Sequence, residues 1–310
     1  MRMLLPFTLV LGAVAACRPP PGPVGPVGPV APGPGRLVIA HTNDLHCHFR
    51  PSPAPWLEGS PEIGGFIPID AHVAALRAKY GAGAVLYLDG GDLLSGTPLM
   101  EYPVHGANGG AMVDLLASAG ADAWVLGNHE LDRGWENAAA LVVASTVPVL
   151  SANVRSSQSA KEPGFPGLLR HTILEANGVR VGIFGLTTPS LSRLASAETM
   201  SHLDVWPLRN VAAAEVAALE PEVDLVVALT HTGIDADREL AAQVPGIDLI
   251  VGGHSHTALM PPEKVGDTWI VQAGSYARQL GVLDLTVEDG RIVSFNGELR
   301  DLFPDLLPGP

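Results

Sequence analysis

Apolar positions along the chain fall into short runs that switch between a strand period and a helix period. Residues 36–43 (RLVIAHTN) form a β-branched apolar run, which predicts a buried strand. Residues 64–80 (GGFIPIDAHVAALRAKY) carry apolar spacing suited to a helix. Residues 84–92 (AVLYLDGGD) predict a strand ending in glycines and an aspartate. Residues 109–120 predict a helix stopped by Gly120, because glycine suits the left-handed position after a helix. A strand over 121–130 runs into a polar loop, followed by a helix over 134–145 and a strand over 147–154. The polar stretch 153–164 (NVRSSQSAKEPG) reads as a loop. Residues 170–188 predict two strands folded about Asn177-Gly178, a strong hairpin signal. Then come a helix over 211–220, a strand over 223–233, a helix over 235–244 and a short strand over 247–256. The end, 268–299, alternates in β fashion around a turn at Asp289-Gly290. Strands and helices in alternation predict a layered α/β or α+β fold.

The first 35 residues break this pattern. Arg2 precedes an apolar run over 3–16, too short to span a bilayer comfortably and suited to a signal-peptide core. The run ends in VAAC at 14–17, which resembles the lipobox of bacterial lipoproteins, where the cysteine becomes the first mature residue and carries lipid. The expectation is a signal peptide over 1–16 and a lipidated Cys17 holding the protein to a membrane. An ordinary secretory signal with a chance cysteine is the alternative. Several acyl chains anchor stably, whereas one binds weakly. Residues 18–35 (RPPPGPVGPVGPVAPGPG) place glycine at every third position only from Gly22 to Gly28, so they read as a stiff spacer rather than collagen. At about 3.1 Å per residue such a tether reaches on the order of 50 Å. One folded domain is expected over 36–302, with a tail over 303–310.

Composition narrows the partners. The chain carries a formal net charge of -14 although only 16% of its residues are charged. That sign repels nucleic-acid backbones and excludes polymeric DNA or RNA as a tightly held partner. Small anionic substrates stay open, because bound cations reverse the local sign of a site. Two cysteines, Cys17 and Cys47, exclude a disulfide framework.

The polar clusters fall in a telling place. Asp44, Asp92, Asn128, His231 and His254 each lie just past a predicted buried strand. Ligand-binding residues of α/β sheets gather at such carboxyl ends. The blocks are NDLH (43–46), DGGD (89–92), GNHELD (127–132), THTG (230–233) and GGHSH (252–256). Asp44 and His46 are two apart and share a face if the strand continues; His254 and His256 repeat the spacing. The glycines at 90, 91, 252 and 253 let the backbone turn tightly. Such a donor set suits two divalent cations about 3.5–4 Å apart, bridged by a carboxylate.

In this order the five blocks resemble the calcineurin-like metallophosphoesterases, specifically the 5′-nucleotidase family, over roughly residues 36–285. The resemblance implies a four-layer α/β/β/α sandwich. It implies one metal held by Asp44, His46 and His256, another by Asn128, His231 and His254, and Asp92 as the bridge. His129 would stabilise or protonate the leaving oxygen, oriented by Asp132 as a carboxylate fixes an imidazole tautomer. The implied nucleophile is a metal-bound hydroxide. Mixed Asp, Asn and His ligation accommodates manganese, zinc, iron or cobalt. The implied activity is hydrolysis of small phosphate esters such as nucleotides, in a 5′-nucleotidase-like manner, at the cell envelope. Two other readings stand beside it: a thiosulfohydrolase-type sulfur-ester hydrolase, and a non-catalytic metal- or ligand-binding lipoprotein, which the joint presence of His129 and Asp132 disfavours. The family's nucleotidases continue into a second, nucleoside-gripping domain. This sequence stops at Pro310, so no nucleoside-binding residue carries over, and selectivity is expected from loops 51–62 and 97–108, from a separate specificity subunit, or not at all.

Neighbouring residues carry weaker expectations. His41 belongs to the strand. Cys47 points away from His46 if the backbone stays extended and reads as a packed side chain, with a metal-modulating thiol as the alternative. The family often places a small residue directly after D-x-H, and the Cys47-His48 pair departs from that. His48 is a candidate substrate contact, Arg133 a candidate phosphate contact, and Trp56 a candidate to stack on a base or simply to pack. Asn153 sits near a further strand end.

Overall fold

The computed structural model describes residues 35–308. The expected signal peptide, Cys17 and the tether up to Pro34 lie outside the described residues. Two six-stranded mixed sheets form the centre. The first runs in the order Arg291–Asp301, Gln279–Glu288, Arg36–Thr42, Val85–Asp89, Ala123–Val125, Val149–Leu150. The second runs His171–Ala176, Val179–Thr187, Leu225–His231, Leu249–Val251, Thr268–Val271, Glu263–Val265. In the first sheet the pairings from Arg36–Thr42 to Val149–Leu150 are parallel and the two pairings on the other side are antiparallel; in the second the three inner pairings are parallel and the pairing at each edge is antiparallel.

Side-chain alternation builds the layers. From the Arg36–Thr42 strand, Leu37 and Ile39 enter a core shared with Val181, Ile183, Val227 and Leu249 of the second sheet. Val38 and Ala40 point the other way, under Ile69, Val73 and Leu76 of the Phe66–Tyr80 helix and Leu116 of the Gly110–Ser118 helix. The second sheet repeats this: Phe184, Val226 and Ile250 pack under Val216 of the Leu208–Leu219 helix and Leu240 of the Ile234–Gln243 helix. The result is the expected α/β/β/α sandwich. Both faces of each central strand are buried, which is why these strands read as continuous apolar runs.

The strands stop earlier than their apolar runs suggested. The expected strands over 121–130 and 247–256 end at Val125 and Val251, and their polar continuations are loops. The run over 147–154 divides, with Val149–Leu150 in the first sheet and Val154–Ser156 in a separate three-stranded sheet with Ser159–Pro163 and Leu203–Val205. The stretch 153–164 is therefore a hairpin and not only a loop. Its outer strand is largely exposed and lacks an apolar face, so no alternation marks it in the sequence. At the division Asn153 is buried and structural: its Nδ2 donates to Thr187 O at 2.8 Å and its Oδ1 accepts from Thr187 N at 2.8 Å. The Asn177-Gly178 turn forms as expected, with φ of 51° and 80°.

Candidate metal centre

Five parallel strands, three from one sheet and two from the other, deliver their carboxyl ends to one place. The chain does not stay extended there. Asp44, His46 and Cys47 have φ of 52°, 48° and 56°, so the two-residue spacing of Asp44 and His46 works through a left-handed loop rather than a strand face. Asp92, His254 and His256 are left-handed as well, with φ of 55°, 77° and 53°. Such backbone is uncommon outside glycine and persists only where surroundings over-determine it. Here the loops hold one another: Asp44 N donates to Gly91 O, His46 N to Asp92 O and Cys47 N to Leu93 O, at 2.8 to 3.0 Å. Gly127 has to be glycine, because a Cβ there would run into Asp92 Oδ1.

The side chains converge in three overlapping groups, within each of which the donor atoms lie within 4.8 Å of one another: Asp44, His46 and His256; His46, Asp92 and His129; and Asp92, His231 and His254. Asp92 and His46 each belong to two groups. Second contacts set the imidazole tautomers. His231 Nδ1 donates to Gly90 O at 2.7 Å, and His46 Nδ1 faces Leu94 O and Ser95 Oγ at 3.0 Å each. That leaves both Nε2 lone pairs for the centre. The Nε2 atoms of His46 and His256 face one another at 3.0 Å. His231 Nε2 lies 2.9 Å from Asp92 Oδ2 yet without hydrogen-bond geometry. Asn128 Oδ1 is buried with no hydrogen-bond partner. Imidazole nitrogens and carboxylates brought this close, with an orphaned amide oxygen beside His129 in the chain, fit a pair of divalent cations.

Electrostatics favour neutral ligands at two of the imidazoles. Burial pushes His46 and His254 down, keeping them neutral donors. Burial works against charge on His231 also, but the Asp92 carboxylate outweighs it and holds the group up to about 10, so a divalent cation has to displace a proton from its Nε2. Burial raises Asp92 and the facing His231 pulls it back down, for a net lowering. His129 Nδ1 donates to Asp132 Oδ2 at 2.8 Å, and this bond raises His129 to about 9. The backbone N of His129 donates to Asp92 Oδ1 at 2.8 Å, tying the pair to the cluster.

The structure also places the residues neighbouring the centre. Cys47 is fully buried in the core under the helices, and burial pushes its thiol up to about 12, so it packs and does not join the donor groups. Arg133 pairs with Glu101 on the surface. His48 Nδ1 donates to His46 O at 2.8 Å and its ring packs 4.6 Å from Tyr276, so it braces the loop. His41 is buried in its strand, as expected.

Two structural supports were missed by the sequence reading. Glu130 is fully buried, and its carboxylate accepts from the backbone N–H groups of Asp92, Leu93, Leu94 and Gly127 at 2.8 to 3.2 Å. Burial beside Asp92 pushes it up, to about 7. Its signal was its place within GNHELD. Asn43 is the other: its Nδ2 donates to Asp44 Oδ2 and Gly274 O, and its Oδ1 accepts from Ala273 N. Nothing in its spacing marks it.

Residues 37–258 match the family model of the calcineurin-like phosphoesterases. The 5′-nucleotidase of Rattus norvegicus is 31% identical over 293 residues, covering 84% of this chain and 48% of the relative. The solved 5′-nucleotidase precursor of Thermus thermophilus superposes with a TM-score of 0.77 at 28% identity, covering 88% of this chain and 56% of that one. The sulfate thiohydrolase SoxB of the same genus superposes with a TM-score of 0.79 at 22% identity, covering 90% of this chain and 59% of that one, a likeness of fold alone. The chain spans about half the length of the curated relatives it matches. With these five loop blocks, in this order, on this sandwich, the chain belongs to the calcineurin-like phosphoesterase family.

Proposed function

We propose that the protein is a metal-dependent phosphomonoesterase of the 5′-nucleotidase type. The convergence of Asp44, His46, Asp92, His231, His254 and His256 at one strand-end cluster, with the unpartnered Oδ1 of Asn128 and the His129–Asp132 pair that follows it in the chain, carries this reading. Asp44, His46 and His256 would hold one divalent cation and Asn128, His231 and His254 the other, with Asp92 shared. Two such ions supply Lewis-acid polarisation of a phosphoryl oxygen and lower the pKa of a water. The chain's own contribution is positional. Gly90 O and Leu94 O fix the ring tautomers, and Glu130 fixes the loop that carries Asp92. Asp132 keeps the Nδ1 proton of His129 in place, leaving Nε2 to hold or deliver a proton at the leaving oxygen.

The test compares manganese-loaded protein on 5′-AMP, an aryl phosphate and an aryl phosphodiester, with His129→Ala as control. Selective turnover of the monoesters is expected. His129→Ala should lower kcat by about 10²–10⁴ while two metals stay bound. Two bound metals with no phosphate released from any of them would overturn the reading, and sulfate released from sulfur esters would replace it.

The envelope location rests on the VAAC stretch and its apolar run alone. Lipid labelling in cells should mark the wild-type protein and vanish in Cys17→Ala; equal labelling of both, or of neither, removes the anchor.

A further inference from the structure

A cleft of about 340 Å³ shares no residue with the metal centre. Two of its walls come from the stretch 153–164, which the metal centre does not use. Arg155 lies on the Val154–Ser156 strand and Lys161 on the Ser159–Pro163 strand of that hairpin. Arg170 and His171 enter from the start of the His171–Ala176 strand, and Leu168 and Leu169 add apolar wall. No carboxylate lines the cleft. In a chain with 18 lysines and arginines against 32 acids, this concentration of cations runs against the overall charge.

Arg155 is the one buried arginine among the described residues, at 5% exposed; every other arginine is exposed or half-buried. Among the described residues it has no ion pair, and its Nε is buried without a hydrogen-bond partner. Its guanidinium carbon lies 5.7 Å from the centroid of Trp206, a contact that orients the group without neutralising it. A buried cation with no paired carboxylate is costly. Burial lowers the pKa of Arg155, Arg170 lowers it further, and Glu215 offsets them only in part. Glu215 is already engaged. It is fully buried, its Oε1 accepts from Arg170 Nε at 2.6 Å, and its Oε2 accepts from His171 Nδ1 at 2.6 Å. Asp204 stands opposite Arg155 in the strand register and Glu162 follows Lys161, but both are exposed and neither lines the cleft.

We propose that this cleft is a second ligand site, built for a small organic dianion: a phosphate or phosphonate group on a compact apolar body. Arg155, Arg170 and Lys161 set against Glu215 leave two positive charges uncompensated, which two negative charges balance. The guanidiniums present planar N–H forks that match phosphoryl oxygens two at a time. Lys161 adds a point charge at the rim. Glu215 positions Arg170 and His171 from below and takes the Nδ1 proton of His171, leaving Nε2 to the cleft. Leu168 and Leu169 give the apolar body a surface to cover, which inorganic phosphate would leave wet. The site is independent of the metal centre and stands or falls apart from the phosphoesterase reading.

The experiment follows the Nε–H resonance of Arg155 by NMR in zinc-loaded, isotope-labelled protein. That proton is sealed from water, so it exchanges slowly enough to observe, and it is assigned by correlation to its own backbone. Phenylphosphonate, whose carbon–phosphorus bond an esterase does not cleave, is titrated beside inorganic phosphate and the monoanion benzoate. The resonance should shift to saturation, with phenylphosphonate binding more tightly than either of the others. Lys161→Glu, an exposed substitution that spares the fold, should weaken phenylphosphonate about tenfold by reversing one rim charge. No shift at millimolar phenylphosphonate would overturn the proposal. So would an affinity unchanged in Lys161→Glu, because a shift relayed from the metal centre would ignore that charge. Phosphate or benzoate binding as tightly as phenylphosphonate would overturn the assignment of an organic dianion.

Discussion

Glu130 shows how much of the centre depends on a side chain that touches no reacting atom. A carboxylate offers acceptors on both oxygens and no donor, so it can satisfy four backbone N–H groups from two loops at once. Glu130→Gln keeps the shape but turns an NH2 toward amides that are donors themselves. Leaving buried N–H groups unmet costs about 1–3 kcal/mol each. The loop bearing Asp92 should loosen, and manganese affinity should fall about 10–100-fold, as for other outer contacts of metal sites. Calorimetric manganese titration checks this, and an unchanged affinity would show that the loop holds without Glu130. The ligand types themselves were readable from the five blocks. Glu130 and Asn43 were not, because a hydrogen-bond acceptor in a sequence does not reveal which distant amides will reach it.

At the scale of elements, left-handed backbone does two different jobs. In the hairpin between His171–Ala176 and Val179–Thr187 it supplies the turn whose twist matches the strands. Gly178 has φ of 80° and nothing within 4 Å of an added Cβ, so Gly178→Ala meets no clash and feels only the conformational penalty. We expect destabilisation by about 1–2 kcal/mol in urea unfolding, with kcat unchanged. A loss above that would mean the turn is coupled to packing elsewhere. At the strand ends the same conformation curls Asp44, His46, Asp92, His254 and His256 inward. The hairpin announced itself through Asn-Gly. The ligand loops did not, since Asp and His carry no comparable mark, and strand geometry was the natural but incorrect assumption.

At the scale of the whole molecule, closing two sheets face to face buries groups that would titrate in the unfolded chain. His41 follows Leu37 and Ile39 with the same parity, is 1% exposed, and has an Nδ1 without a partner. Burial pushes it down to about 3. Its folded pKa is below the unfolded value of about 6.5, so the unfolded chain takes up the proton first. Its contribution is fully present above about pH 6.5 and is lost as pH falls toward 3, at about 1.4 kcal/mol per pH unit. Unfolding midpoints of wild type and His41→Leu, measured from pH 7 to pH 4.5, should therefore draw together as pH falls if Leu is the less stable at pH 7, or cross if the two start close. Parallel pH profiles would show that His41 does not titrate in this range.

The sequence by itself determined the layered fold and the chemistry of the centre. Periodicity in apolar runs is a local property, and the order of Asp, Asn and His blocks past those runs names a donor set without any geometry. Tertiary structure alone decided how those donors converge and what surrounds them. Loops from five strands in two sheets meet through hydrogen bonds, so the left-handed turns, the Glu130 anchor and the burial of Cys47 exist only once residues tens to hundreds of positions apart are packed together. Contacts of that range depend on the closed sandwich, and no window along the chain contains them.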